Sequence, residues 1–119
     1  TPSCGPLFFM LDEKNYRVLV KQAFDRVEQA FNDVDPDVVE VETSQGTLRV
    51  QVANAGACIL SPQPSVRQIW LAVAAKGIAF HFNYNEATKE WDDDKGQGIT
   101  LFQFLQNYVK EAARVEISL

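Results

Sequence analysis

Histidine occurs once in these 119 residues, at His81, and cysteine twice, at Cys4 and Cys58. That scarcity removes most catalytic and metal chemistry. There is no Ser-His-Asp order, no CxxC, no Walker loop and no GxGxxG. The two cysteines have no metal-ligand spacing and make no disulfide framework, so a reducing compartment is expected. Cys58 falls in an apolar stretch and reads as packed rather than nucleophilic. His81 reads either as a general base or as a sheet-surface residue. Long apolar runs are also missing. None approaches the ~18 residues of a membrane span, and the five-residue N-terminal run Leu7 to Leu11 has no basic stretch before it as a signal peptide would. Positive charge is in deficit, with 11 Lys and Arg against 16 Asp and Glu, which argues against nucleic acid as a partner.

What is present suits one globular domain. The chain is 46% hydrophobic and 23% charged, and its length lets it bury about 65% of its unfolded surface. The domain is expected over residues 12–119. Residues 1–11 read as an N-terminal extension or a tag remnant, with Met10 a candidate native start. Residues 12–34 carry Tyr16, Leu19, Val20, Ala23, Phe24, Val27, Ala30, Phe31 and Val34 at helical spacing, which predicts a helix ended by Pro36. The period then changes to two. Val39–Thr43 and Leu48–Val52 make a hairpin around Ser44-Gln45-Gly46. A short strand over 57–60 follows, and then Pro62 and Pro64 in a loop or at an edge. Further strands are expected over 66–73, 78–84 and 89–92. Thr100-Leu101-Phe102-Gln103 reads as a capping box opening a second helix, and residues 115–119 alternate again. Helix, about six short antiparallel strands and helix make an α+β two-layer sandwich, with both helices on one face of the sheet.

Alternation assigns the faces. Ile69, Leu71 and Val73 share one side with Ile78, Phe80, Phe82 and Tyr84, and this apolar set is the expected core side. Trp70 is left on the open face, with Gln68, His81, Asn83, Arg49 and Gln51 as company. An open-face tryptophan either packs on a loop or anchors a protein partner. The acids are equally localised. Residues 25–42 hold seven acids (Asp25, Glu28, Asp33, Asp35, Asp37, Glu40, Glu42) against Arg26, a net of −6, whereas the rest of the chain nets +1. On a continuous helix Asp25, Glu28, Asn32 and Asp35 share an arc of about 80°. With Glu40 and Glu42 they form an acidic ridge. Such a ridge either aids solubility or offers hard oxygens to cations such as ferric iron, calcium or magnesium, without the spacing of a closed cage.

The run Gln68-Ile69-Trp70-Leu71-Ala72 resembles the Gln-Ile/Val-Trp-Leu-Ser/Ala signature of the frataxin family. Gly77 follows at the family's spacing, and Phe80-His81-Phe82 is similar to the Tyr-His-Phe of bacterial members. Trp91 stands where the family has a Glu-Trp element, and the Gly46-Thr47-Leu48 turn also fits. The likeness covers about residues 14–119. It implies the frataxin sandwich and a role in iron–sulfur cluster assembly: an adaptor and regulator that binds ferrous or ferric iron weakly on the ridge and docks on a cysteine desulfurase and its scaffold protein. A ferroxidase or iron-storage protein using the same ridge is the alternative, so intrinsic enzymatic activity is left open. By position Glu28, Asp33, Asp35, Glu40 and Glu42 match ridge residues, and Trp70 and Gln68 match partner-binding ones. Gln63, His81 and Arg49 complete the expected docking set, and Asp25 and Asp37 the expected metal set. Two departures stand out. Gln29 and Asn32 occupy often-acidic positions, and Leu60-Ser61-Pro62-Gln63-Pro64 replaces the family's Asn-x-Gln. The mitochondrial members' arginine on the fifth strand is absent, which with the short N-terminus implies a bacterial cytoplasmic protein over a mitochondrial one. A monomer, with iron-induced oligomers, and no membrane partner complete the expectations.

Overall fold

The structure, a computed structural model, describes residues 12–53 and 55–117. The expected extension over residues 1–11, with Cys4 and the Leu7–Leu11 run, lies outside the described residues. Helix α1 (Glu13–Ala30) is followed by β1 (Val39–Ser44), β2 (Thr47–Val52), β3 (Gly56–Gln63), β4 (Gln68–Val73), β5 (Ile78–Asn85), β6 (Glu90–Asp93) and α2 (Leu101–Ala113). The six strands form one antiparallel sheet in chain order. Meander order follows from the tight connections. Gln45 and Gly46 lie at φ +52° and +79°, the two left-handed residues that a type I′ hairpin turn requires.

One face of the sheet carries the core. Leu48, Val50, Val52, Cys58, Leu60, Ile69, Leu71, Val73, Phe82 and Trp91 are buried against Tyr16, Val20, Phe24 and Val27 of α1 and Leu101, Leu105 and Val109 of α2. Both helices therefore cover the same face, and the other face meets solvent. Cys58 is fully buried, and burial pushes its thiol up to about 12, so it packs as a small apolar side chain. Tyr16 fastens α1 to the sheet. Its hydroxyl donates to the Gln68 carbonyl (2.6 Å) and accepts from the Gln63 N–H (2.9 Å), joining the ends of β3 and β4.

Several boundaries differ from the sequence expectation. Asp12 caps α1 by accepting the Asn15 N–H at 2.7 Å, but the helix ends at Ala30, ahead of Pro36. Phe31 turns away because the core claims its side chain, and Asn32 and Asp33 are weak helix formers that leave the backbone in turns. The Asp35 carboxylate then accepts the Asp37 N–H at 2.9 Å and holds the connection to β1. The capping box does not form. Thr100 makes no side-chain cap and instead bridges to Asp92, while Gln103 Nε2 donates to Asn107 Oδ1 at 3.3 Å. Strand β3 runs through Pro62. Its pairing with β2 stops at Leu60, so Pro62 stands at a local edge and forfeits no bond there. Ile78 is 41% exposed rather than core, because α2 covers β5 only from Phe80 onward, where Phe104 packs at 4.9 Å. Among the described residues the C-terminal tail forms no strand; Val115 and Ile117 pack on the core.

Candidate functional site

The strand registers assemble the open face in rows. Ser61, Trp70, His81 and Asp94 form one row, because Ser61 pairs with Trp70, Trp70 with His81, and the Asp94 N–H donates to the His81 carbonyl at 2.8 Å. Gln63, Gln68, Asn83 and Asp92 form the next. Glu42, Arg49, Ile59, Ala72 and Ala79 form a third on the other side. Of the expected docking set, Gln63, Gln68 and His81 thus sit beside Trp70. Arg49 shares the face but lies two strands away, where its guanidinium donates to Gln51 Oε1 at 2.8 Å.

Trp70 is 37% exposed and held at two points. Its indole N–H donates to Gln68 Oε1 at 2.8 Å, and its ring stacks on His81 with centroids 4.3 Å apart and planes 13° from parallel. Gln68 Nε2 in turn donates to Asn83 Oδ1 at 3.1 Å and reaches Asp94 Oδ2 at 3.4 Å. A fixed aromatic with one free face, ringed by carboxamides, is the anatomy of an interface anchor, since little side-chain entropy is left to lose on binding. Asp94 is the member that sequence reasoning missed, because it follows the last residue of β6 in what reads as a polar turn. Extending the β5–β6 register by one residue would have found it. Asp93, 8% exposed, was missed too; its carboxylate organises the turn into α2 by accepting the N–H groups of Lys95, Gln97 and Ile99.

The acids wrap an edge rather than line one helical arc. Because α1 stops at Ala30, Asp33, Asp35 and Asp37 lie in the connector, and the arc expected for Asp25 through Asp35 does not form. Asp25 and Glu28 border a cleft beside Thr43 and the β1–β2 turn, on the helix side of β1. Glu40 and Glu42 point to the open face, opposite Gln51 and Arg49. Asp25 is paired with Lys21 at 2.9 Å, a contact that raises the Lys21 pKa. Among the described residues no three His, Cys, Asp or Glu side chains gather to hold an ion, so a cation here would meet exposed oxygens one or two at a time. The placement also separates two substitutions. Glu40→Lys faces Gln51, relieves like-charge repulsion, and should hold or raise the melting temperature; a loss of more than about 2 kcal/mol would reveal an unseen contact. Glu42→Lys sets a cation opposite Arg49 and should lose about 0.2–1 kcal/mol, as like charges on paired strands do.

No helix among the described residues is long and apolar enough to cross a membrane. Residues 9–115 match the family model described as a frataxin-like domain. The chain is 36% identical over 106 residues to the iron–sulfur cluster assembly protein CyaY of Pseudomonas fluorescens, covering 89% of this chain and 93% of that protein. It is 40% identical over 87 residues to the CyaY of Pseudomonas aeruginosa, covering 73% of this chain and 78% of that one. In fold it is similar to the frataxin of Psychromonas ingrahamii, with a TM-score of 0.79 at 19% identity over 91% of this chain and 97% of that one. It is also similar to trimeric yeast frataxin solved in complex with ferrous iron, at a TM-score of 0.60 and 25% identity over 93% and 94% of the two chains. With nearly its whole length matched by the family model and by relatives above 30% identity, the chain belongs to the frataxin family, among its bacterial CyaY-like members.

Proposed function

We propose that this protein is an adaptor and regulator of iron–sulfur cluster assembly, which docks through the Trp70 face on a cysteine desulfurase and its scaffold and carries iron weakly on the acidic edge. The observation that carries this reading is Trp70 itself: an indole fixed by a hydrogen bond to Gln68 and a ring stack on His81, on an uncovered sheet face and outside the core. Relatives named iron–sulfur cluster assembly proteins supply the pathway. A bacterial cytoplasmic location accords with those relatives and with the single buried thiol among the described residues.

Iron is cargo in this reading. Seven acids in an 18-residue stretch raise the local concentration of a hard cation, and the lack of a converging ligand set keeps it exchangeable. Glu28, Asp33, Asp35, Glu40 and Glu42 are expected to respond first when ferrous iron is added without oxygen, with Asp25 behind them because Lys21 must be displaced. Calorimetry should give micromolar or weaker affinity. A single nanomolar site, or NMR shifts centred on His81, would contradict this assignment.

A further inference from the structure

We propose that Asp94 is the positioning residue of the open face: through His81 and Gln68 its carboxylate holds the Trp70 indole in place against the imidazole, and the hold tightens when His81 carries a proton. The inference rests on the reading of Trp70 as the docking anchor and adds the device that sets it.

Two contacts fix the indole, and both lead to one oxygen. The first is the ring stack on His81, whose Nδ1 lies 3.6 Å from Asp94 Oδ2. The second is the hydrogen bond to Gln68 Oε1. Gln68 can accept from the indole only with its amide nitrogen turned the other way, and there the NH2 group meets Asn83 Oδ1 at 3.1 Å and the same Asp94 Oδ2 at 3.4 Å. Asp94 is itself anchored, because its N–H donates to the His81 carbonyl and continues the β5–β6 ladder past its last paired residue. Its side chain therefore emerges beside the imidazole.

A proton on His81 acts on both contacts of that ring. An imidazolium is drawn to the Asp94 carboxylate, and over an indole 4.3 Å away it gains a cation–π term. The groups facing His81 are Trp70 and Gln68 from β4, and Asp93, Asp94, Lys95 and Gln97 from β6 and the following turn. Asp93 adds negative charge, although its oxygens are already engaged by backbone N–H groups; Lys95 opposes a second cation. Histidine changes charge between pH 5 and 8, so the effect falls in an accessible range.

The test uses the free full chain, labelled with nitrogen-15 and titrated from pH 8 to 5. The indole N–H peak of Trp70 is assigned by its loss in Trp70→Phe, which leaves only that of Trp91. It should move with the His81 ring signals and share their midpoint. In Asp94→Asn the Trp70 peak should move less over the same range, because the charge that draws the imidazolium is gone. In Asp94→Ala, which also frees the Gln68 amide, the Trp70 peak should be displaced at every pH. A Trp70 peak that moves as far in Asp94→Asn as in wild type, or one indifferent to His81, would overturn the proposal. No partner is present in this experiment, so its failure leaves the docking reading standing. If Trp70→Arg instead bound the desulfurase–scaffold complex as tightly as wild type, the docking reading would fall and the measured coupling would remain.

Discussion

Trp70→Arg is expected to weaken binding to the cysteine desulfurase–scaffold complex about thirtyfold or more while leaving the fold intact. The two halves have separate causes. Trp70 alternates with Ile69 and Leu71, both fully buried, so its side chain stands on the face the core does not use. Surface changes of that kind usually cost within about 1 kcal/mol of stability. A partner that seals off the indole loses about 2 kcal/mol or more when it is removed, the scale of a hot-spot residue. Arginine also leaves Gln68 Oε1 without the indole N–H and puts a charge into the contact. The informative pair of measurements is the melting temperature and the affinity for the complex. A collapsed melt would make Trp70 a core residue, and an unchanged affinity would remove the open face as the docking surface.

Trp91→Ala should do the opposite, losing about 3–5 kcal/mol of stability, as large aromatics do when cut from a core. Trp91 is 2% exposed. It packs edge-on against Tyr84 at 5.3 Å and Tyr16 at 6.3 Å, between β5 and α1. Because Tyr16 also joins the ends of β3 and β4 through its hydroxyl, a cavity at Trp91 reaches the support beneath Gln68. Such a loss is a large part of the about 5–15 kcal/mol that holds a domain together. Urea unfolding monitored by circular dichroism reads it directly. A loss under about 1 kcal/mol would mean that the cavity collapses or that the packing described is wrong.

The contrast between the two tryptophans shows what alternation makes legible. In a sheet whose strands follow one another, period two assigns each side chain to a face, and β2, β4 and the centre of β5 obey it. Trp70, Gln68 and His81 could be grouped from sequence for that reason. Legibility failed where the deciding interaction was not local. Ile78 has the right parity for the core but lies beyond the cover of α2. Thr100 has the right type for a cap but pairs with Asp92 instead. The end of α1 at Ala30, well short of Pro36, left Asp33 and Asp35 in the connector and bent the expected arc around an edge. Asp94 was hidden because a residue past a strand end has no evident face until the register of its neighbour is known. The resemblance to frataxins rested on the Trp70 strand, where local pattern and tertiary role coincide.

Docking through Trp70 is tested most directly by the rate of cluster formation on the scaffold protein, followed by visible absorbance with desulfurase, cysteine and ferrous iron present. Wild-type protein and Trp70→Arg are added at equal concentration, each against a control with neither. The wild type is expected to change the rate, and Trp70→Arg to return it to the control. A wild type without effect, or a variant as effective as the wild type, would contradict docking through Trp70.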